Sequence, residues 1–199
     1  MTRFGYVAAT VLVVDLFAAL FLAQHWRQPR PRLLWNASAS APIGLYRVAA
    51  IDHPRVGDLV VLTPPALLAG LMARRGYLPR GVPLVKRVAG LPGARICRDG
   101  SVVTIAGHAA AIARPRDAGG RALPSWRGCR VVGGGELLLL NPGLDSFDGR
   151  YFGAIEATGL VGRAIPILTR EAAHSPLRWH GWRGAAATPL LSKGGKSCH

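Results

Sequence analysis

The chain opens on an almost unbroken apolar run from Phe4 to Ala23. About twenty such residues make a helix long enough to cross a bilayer. Asp15 is the one charge inside it. A carboxylate there either marks contact with a partner or is tolerated by a very apolar segment. The run is long for the core of a signal peptide, and no small-x-small cleavage pattern precedes Gln24, so residues 1–27 read as an uncleaved anchor. Beyond a Pro/Arg linker, Gln28 to Arg32, the apolar stretches shorten to strand length. Leu45–Val48 and Leu59–Leu62 read as strands, the second entered through Gly57-Asp58 and stopped by Thr63-Pro64-Pro65. Ala66 to Arg75 is rich in alanine and leucine, with two prolines ahead and Gly76 behind, which predicts one short helix. Leu84–Val88 is a further strand, and Ile96–Ile105 a hairpin about Asp99-Gly100. Glu136–Leu140 is an apolar strand ending at Asn141-Pro142-Gly143, and Leu160–Leu168 is the last strand. After Thr169 the chain turns polar and small, which predicts a mobile tail over residues 171–199. No internal repeat is visible.

Composition supports a β-rich body: 25 glycines and 15 prolines in 199 residues suit a turn-rich, strand-dominated domain better than a helical bundle. The formal charge of +15 is spread as singles and pairs such as Arg74-Arg75, with no block of five. Beside an anchor, each basic residue gains about 1 kcal/mol from anionic lipid. Membrane lipid is therefore a sufficient partner for the charge, and no nucleic acid is expected. Arg3 flanks the anchor on one side and Arg27, Arg30 and Arg32 on the other. The charge rule alone would leave the large domain in the cytoplasm; the cysteines and the chemistry below argue for the opposite side. Cys97 and Cys129 flank a Gly/Arg/Pro-rich stretch with little core of its own. The expectation is a disulfide between them in an oxidising compartment, the alternative two buried thiols. Cys198 belongs to the tail. No Cys-x-x-Cys and no His pair at ligand spacing occurs, so no metal or cofactor is expected. The six histidines carry no assignment, with His53 and His108 read as surface residues.

Two short motifs carry candidate chemistry. Ser40 lies in Asn36-Ala37-Ser38-Ala39-Ser40-Ala41-Pro42-Ile43-Gly44-Leu45-Tyr46, and Lys86 in Val85-Lys86-Arg87-Val88-Ala89-Gly90-Leu91-Pro92-Gly93. A serine on a Pro/Gly loop and a lysine in an apolar run make a Ser/Lys dyad, in which the hydroxyl attacks a peptide carbonyl and a neutral amine takes its proton. The loop leaves backbone N–H groups free for an oxyanion. At its ordinary pKa only about one lysine in a thousand is neutral near physiological pH. Burial among Leu84, Val85 and Val88 would lower that pKa toward the range of a working base. Ser146, in the loop 141–153, is a candidate to orient the amine.

Four segments in order resemble the signal peptidase I superfamily, and within it the TraF-type maturation proteases of conjugative transfer. The Ser-x-Ser-x-Pro-x-Gly-x-Tyr segment is similar to the family's nucleophile box and Gly57-Asp58-Leu59-Val60-Val61 to its Gly-Asp strand. Lys86 to Gly93 resembles its lysine box and Asp145 to Gly153 its last box. The resemblance implies Ser40 as nucleophile and Lys86 as general base. Ser38 becomes an oxyanion donor beside the Ser40 N–H, Ser146 orients Lys86, and Asp148 with Arg150 forms a supporting ion pair. It implies a mainly β fold of antiparallel sheets behind a single N-terminal transmembrane helix, with a peptidase domain over residues 28–170. That domain would face the periplasm from the inner membrane. General signal peptidases carry methionine after the nucleophile, where this chain has Ala41; the short Ser40-x-Pro42 spacing and the Ala66–Arg75 helix with Tyr77 suit the TraF-like branch.

Each residue alone has an ordinary reading. Ser-Ala-Ser is a polar turn, a lysine beside valines snorkels from an edge strand, and Asp148 and Arg150 share one face of a strand as a surface pair. Their joint order favours the enzyme. The leading expectation is a membrane-bound serine endopeptidase that cuts exported precursors after small residues. Its substrate would be a propilin of a conjugative or type IV secretion system, with other transfer proteins as partners. A general signal peptidase and a non-catalytic basic scaffold of a transfer complex are the alternatives.

Overall fold

The computed structural model describes residues 3–27 and 32–183. They fall into two units, divided after Pro31. The first is one helix, α1 (Arg3–Arg27). Its segment Arg3–Ala23 has a mean hydropathy of 2.3 and exposes nearly every side chain, so by length and composition it can cross a membrane.

The second unit is built from strands, in the order β1 (Leu33–Asn36), β2 (Ile43–Ala49), β3 (Leu59–Leu62), the helix α2 (Ala66–Arg74) and β4 (Leu84–Gly90). There follow β5 (Arg95–Asp99), β6 (Val102–Ile105), β7 (His108–Ile112), β8 (Gly128–Val131) and β9 (Glu136–Leu140). A single helical turn α3 (Gly149–Phe152), β10 (Ile155–Glu156), β11 (Leu160–Arg170) and β12 (Arg178–Trp179) complete it. The larger sheet runs β1-β2-β11-β3-β4-β9-β10, with β12 on the side of β11; the smaller runs β7-β6-β5-β8. Every pair is antiparallel. The fold is therefore mainly β, as the strand-length apolar runs predict.

The two-residue period explains the core. Tyr46, Leu59, Val61 and Val85 pack together in one cluster. Val60, Leu62, Val88, Leu137 and Leu139 fill another. All four residues of β3 are buried, which is why that strand reads as a continuous apolar run. β2 and β3 are joined only through β11, which wedges between them. The contact is close at Gly44, with φ +147°: a Cβ there would sit 2.1 Å from the Leu168 carbonyl oxygen.

Several elements differ from the sequence expectation. β1, β7, β8, β10, β12 and α3 are additional. β7 is His-Ala-Ala-Ala-Ile, a composition with no strand preference, and it exists because β6 supplies a partner. The tail expected from residue 171 is paired in part: Trp179 and Arg178 bond to Leu168 and Thr169, and His180 accepts or donates at Thr169 Oγ1 across 2.9 Å. Residues 184–199, with Cys198, lie outside the described residues. Cys97 and Cys129 are cross-strand partners on β5 and β8, with their sulfurs at bonding distance, 2.07 Å.

Candidate active site

Ser40 sits in the loop between β1 and β2, and a buried amide holds that loop. Asn36, 7 % exposed at the end of β1, shares its Nδ2 hydrogens among the carbonyls of Ser38, Ala41 and Pro42 at 2.9–3.2 Å, and its Oδ1 accepts the Ser38 N–H at 3.1 Å. Tyr46 adds a hydrogen bond from its hydroxyl to the Pro42 carbonyl, 2.6 Å. The loop is thus tied to its own strands from both ends, and Ser40 is presented at an edge rather than on a flexible tip. Ser38 Oγ donates to Ser40 Oγ across 3.0 Å and accepts the Ser40 N–H at 3.3 Å.

Lys86 lies mid-way along β4, opposite Val60 of β3, and is 2 % exposed. Its Nζ donates to Ser146 Oγ at 2.7 Å. Burial is the main cause that pushes its pKa down to about 8; Asp148 opposes that shift and Arg150 adds to it. The apolar neighbours that mark Lys86 in the sequence are therefore the physical cause of its altered basicity.

Behind Lys86 lies a buried polar network. Asp148 and Arg150, 0 % and 1 % exposed, form a two-pronged pair through Nε–Oδ1 (2.8 Å) and Nη2–Oδ2 (3.0 Å). They are not the surface pair on a strand that their spacing allows: Asp148 caps α3 by accepting the Arg150 N–H, and also accepts the Asn141 N–H at 3.0 Å. Arg150 returns a bond from Nη2 to the Asn141 carbonyl at 2.6 Å. Removing one member would leave a buried charge alone, at a cost of about 3–5 kcal/mol. Asn141 carries the network to β4: its Nδ2 donates to the Val85 carbonyl and its Oδ1 accepts the Arg87 N–H, so both residues flanking Lys86 are held.

Ser38, Ser40, Lys86 and Ser146 line one cavity of about 450 Å³. Among the described residues, Lys86 bonds to Ser146 and not to Ser40. The cavity wall is apolar and aromatic, from Met72 and Tyr77 after β3 and from Phe147 and Tyr151. Its rim is charged: Arg114 pairs with Asp145, and the Tyr77 hydroxyl donates to Asp117, which with Arg121 holds that carboxyl below the usual range. Asp148 and Arg150 stand behind the cavity, and Cys97 and Cys129 do not line it. His53 and His108 are exposed.

Asn36 and Asn141 have no role in the sequence reading although both lie in the quoted segments. An asparagine at a strand end is by default a turn residue, and only burial separates it from a brace. The aromatic wall is likewise assembled from two distant segments.

This arrangement can carry out nucleophilic attack at a carbonyl: a hydroxyl, a proton acceptor of lowered pKa and an N–H beside the hydroxyl converge on one cavity. Residues 3–169 match the family described as signal peptidase, peptidase S26. The chain is 39 % identical over 145 residues to a probable conjugal transfer protein TraF of Sinorhizobium fredii, covering 67 % of this chain and 76 % of that one. It is 38 % identical over 144 residues to the conjugal transfer protein TraF of Agrobacterium fabrum, with coverages of 67 % and 81 %. A plasmid transfer protein TraF of Escherichia coli is 29 % identical over 174 residues, with coverages of 82 % and 96 %. Among solved structures, a signal peptidase I from Enterococcus faecalis aligns at 18 % identity over 57 % of this chain and 98 % of its own. Its TM-score of 0.35 adds nothing to the fold described above.

Proposed function

The chain belongs to the signal peptidase (peptidase S26) family, in its group of TraF conjugal transfer proteins, and from that premise we propose that it is a membrane-anchored serine endopeptidase acting through Ser40 and Lys86. Its substrate on this reading is the leader or pro-segment of an exported precursor, a propilin of a conjugative or type IV secretion apparatus. The observation that carries the proposal is the buried Lys86 amine, bonded to Ser146 and lowered in pKa, in the same cavity as Ser40.

With a pKa of about 8, roughly one Lys86 in five is neutral near physiological pH, against about one in a thousand for an ordinary lysine. Neutral Lys86 Nζ takes the Ser40 proton as Oγ attacks the scissile carbonyl. In the resting arrangement the amine is held by Ser146, so this step requires Nζ to turn toward Ser40 within the cavity; such contacts commonly tighten only when substrate is bound. The Ser40 N–H and the Ser38 hydroxyl donate to the oxyanion, which means Ser38 gives up its resting bond to Ser40 Oγ. Protonated Lys86 then delivers its proton to the leaving amine, and the acyl-enzyme is opened by water with Lys86 again as base. Asp148 and Arg150 take no proton; they and Asn141 keep the β4 backbone and the 141–148 loop in register.

The proposed location is the inner membrane with the peptidase unit in the periplasm. The apolar helix α1, the pairing of Cys97 with Cys129 and the exported nature of the substrate support it.

The test is co-expression with candidate propilins in three forms: wild type, Ser40→Ala and Lys86→Met. Methionine keeps most of the side-chain volume and removes the amine. The expected outcome is mature pilin with the wild type alone, all three proteins being folded. Mature product in the Lys86→Met strain refutes the mechanism, and equal cutting of a generic preprotein points to a general signal peptidase.

A further inference from the structure

Two side chains of the smaller sheet and one from the loop before β8, none of them used by the mechanism, reach toward the site. Arg98 follows Cys97 on β5, is 6 % exposed, and donates from Nη1 to the Arg150 carbonyl at 2.6 Å. Arg130 follows Cys129 on β8 and donates from Nη2 to the Ala154 carbonyl at 2.8 Å. Trp126 Nε1 donates to the Gly149 carbonyl at 3.1 Å. All three acceptors lie in the segment 149–154, which carries Arg150. From there the bonds continue through the Asp148–Arg150 pair to Asn141, and through Asn141 to the residues on both sides of Lys86.

We propose that Arg98 and Arg130 are positioning residues for Lys86, that the Cys97–Cys129 bond braces them, and that the oxidation state of this bond therefore sets the turnover of the enzyme. The inference rests on the peptidase reading above. Two arginines immediately beside two bonded cysteines hold one segment, so the bond fixes the spacing at which both can reach their carbonyls. Opening it leaves β8, an outer strand of its sheet, held by its backbone pairing with β5 alone, and loosens the spacing of the two arginines. The segment 149–154 then loses its outer support, and water gains access to the pair behind Lys86. Access of water weakens the burial that holds the amine neutral, and Lys86 becomes a poorer base.

The bond is reachable. Cys129 is exposed, and a second cavity of about 190 Å³ opens on it, lined by Trp126, Arg127, Arg130, Phe152 and Gly153. A partner thiol can approach its sulfur there. Closing the bond takes two electrons and two protons from the two thiols, and a disulfide-donating oxidant accepts them as it becomes a dithiol; a reducing dithiol runs the exchange backwards. On this account the chain is folded but slow in a reducing compartment and gains full turnover in an oxidising one. That slows the cutting of precursors before either has been exported.

The test uses the full chain in detergent micelles, with lysines selectively labelled with 13C. The sequence has three lysines, so Lys86 is read against Lys193 and Lys196. Four forms are compared: oxidised wild type, wild type reduced with dithiothreitol, the double variant Cys97→Ser/Cys129→Ser, and oxidised Arg98→Met. The titration midpoint of Lys86 is followed by its Cε shift. kcat and KM are measured on a propilin junction peptide, and near-ultraviolet circular dichroism reports folding. In the last three forms the Lys86 midpoint should rise by about one pH unit and kcat near neutrality fall about five- to tenfold, with KM changed less than about twofold. A reduced, folded enzyme that keeps both the Lys86 midpoint and kcat overturns the proposal, as does a change confined to KM. Should Arg98→Met fail to fold, Arg98→Lys, which keeps a donor but loses the fork, takes its place under the same criteria. Absence of cleavage by the oxidised wild type would remove the peptidase reading, while the Lys86 titration still decides whether the bond acts on the amine.

Discussion

At the scale of single residues, burial shifts Lys86 toward its neutral form at the expense of the fold. Its folded pKa of about 8 lies below the ordinary value of 10.5. Below pH 8 the ammonium is present in both states, and its burial costs the native state about 3 kcal/mol. Between about pH 8 and about pH 10.5 the unfolded chain holds the proton and the native chain does not, so stability should rise with pH through that window. Lys86→Met should therefore be more stable than wild type near neutrality, by up to about 3 kcal/mol, and should lose the slope. Urea titrations of both proteins across the window check this; a wild-type profile as flat as that of Lys86→Met counts against a buried, titrating amine. Activity should follow the same proton, with an acid limb in kcat/KM centred near pH 8. The burial of Lys86 was readable because its apolar neighbours are visible in the sequence. Asn36 and Asn141 were not: Asn36 becomes a brace only through its burial, and Asn141 through the Val85 carbonyl, 56 positions away.

At the scale of elements, the serine loop depends on the strand that follows it. Gly44 lies four residues after Ser40 and meets β11 so closely that no side chain fits. Gly44→Ala should cost about 2–4 kcal/mol, from the strained backbone and the clash together. It should also lower kcat in whatever protein folds, because the same displacement reaches the Ser40 loop; a fully stable, fully active variant would show that β2 tolerates the shift. Gly44 appears in the sequence as one letter of a motif, and its reason appears only once β11 is placed. The strands that were legible as continuous apolar runs, such as β3 and β9, are buried on both faces, whereas β11, also legible, alternates between buried and half-buried positions. β7, β8 and β12 were not, because their strand character comes from a neighbour: β8 is exposed throughout and β12 is two residues long. The Cys97–Cys129 pairing was legible, since two cysteines at the borders of a poorly packed stretch have few other uses.

At the scale of the whole molecule, anchor and peptidase unit divide at the linker. Each core cluster of the second unit draws on its own residues alone. A protein lacking residues 1–27 should therefore fold, move from the detergent phase to the aqueous phase, and still cleave a soluble junction peptide with kcat within about threefold of the full chain. Phase partitioning and peptide kinetics check it, and an unfolded truncated protein would give α1 a structural duty beyond attachment. Topology has a last effect that concerns synthesis. Ser40 lies in the loop before β2 and Lys86 on β4, and the sheet that unites them is closed only by β11, starting at Leu160. Pairings so distant along the chain form late. A nascent polypeptide halted on the ribosome before that strand emerges already contains Ser40, Lys86 and Ser146 but not the strand that brings their sheet together, so on the proposed reading it has the residues and no active site.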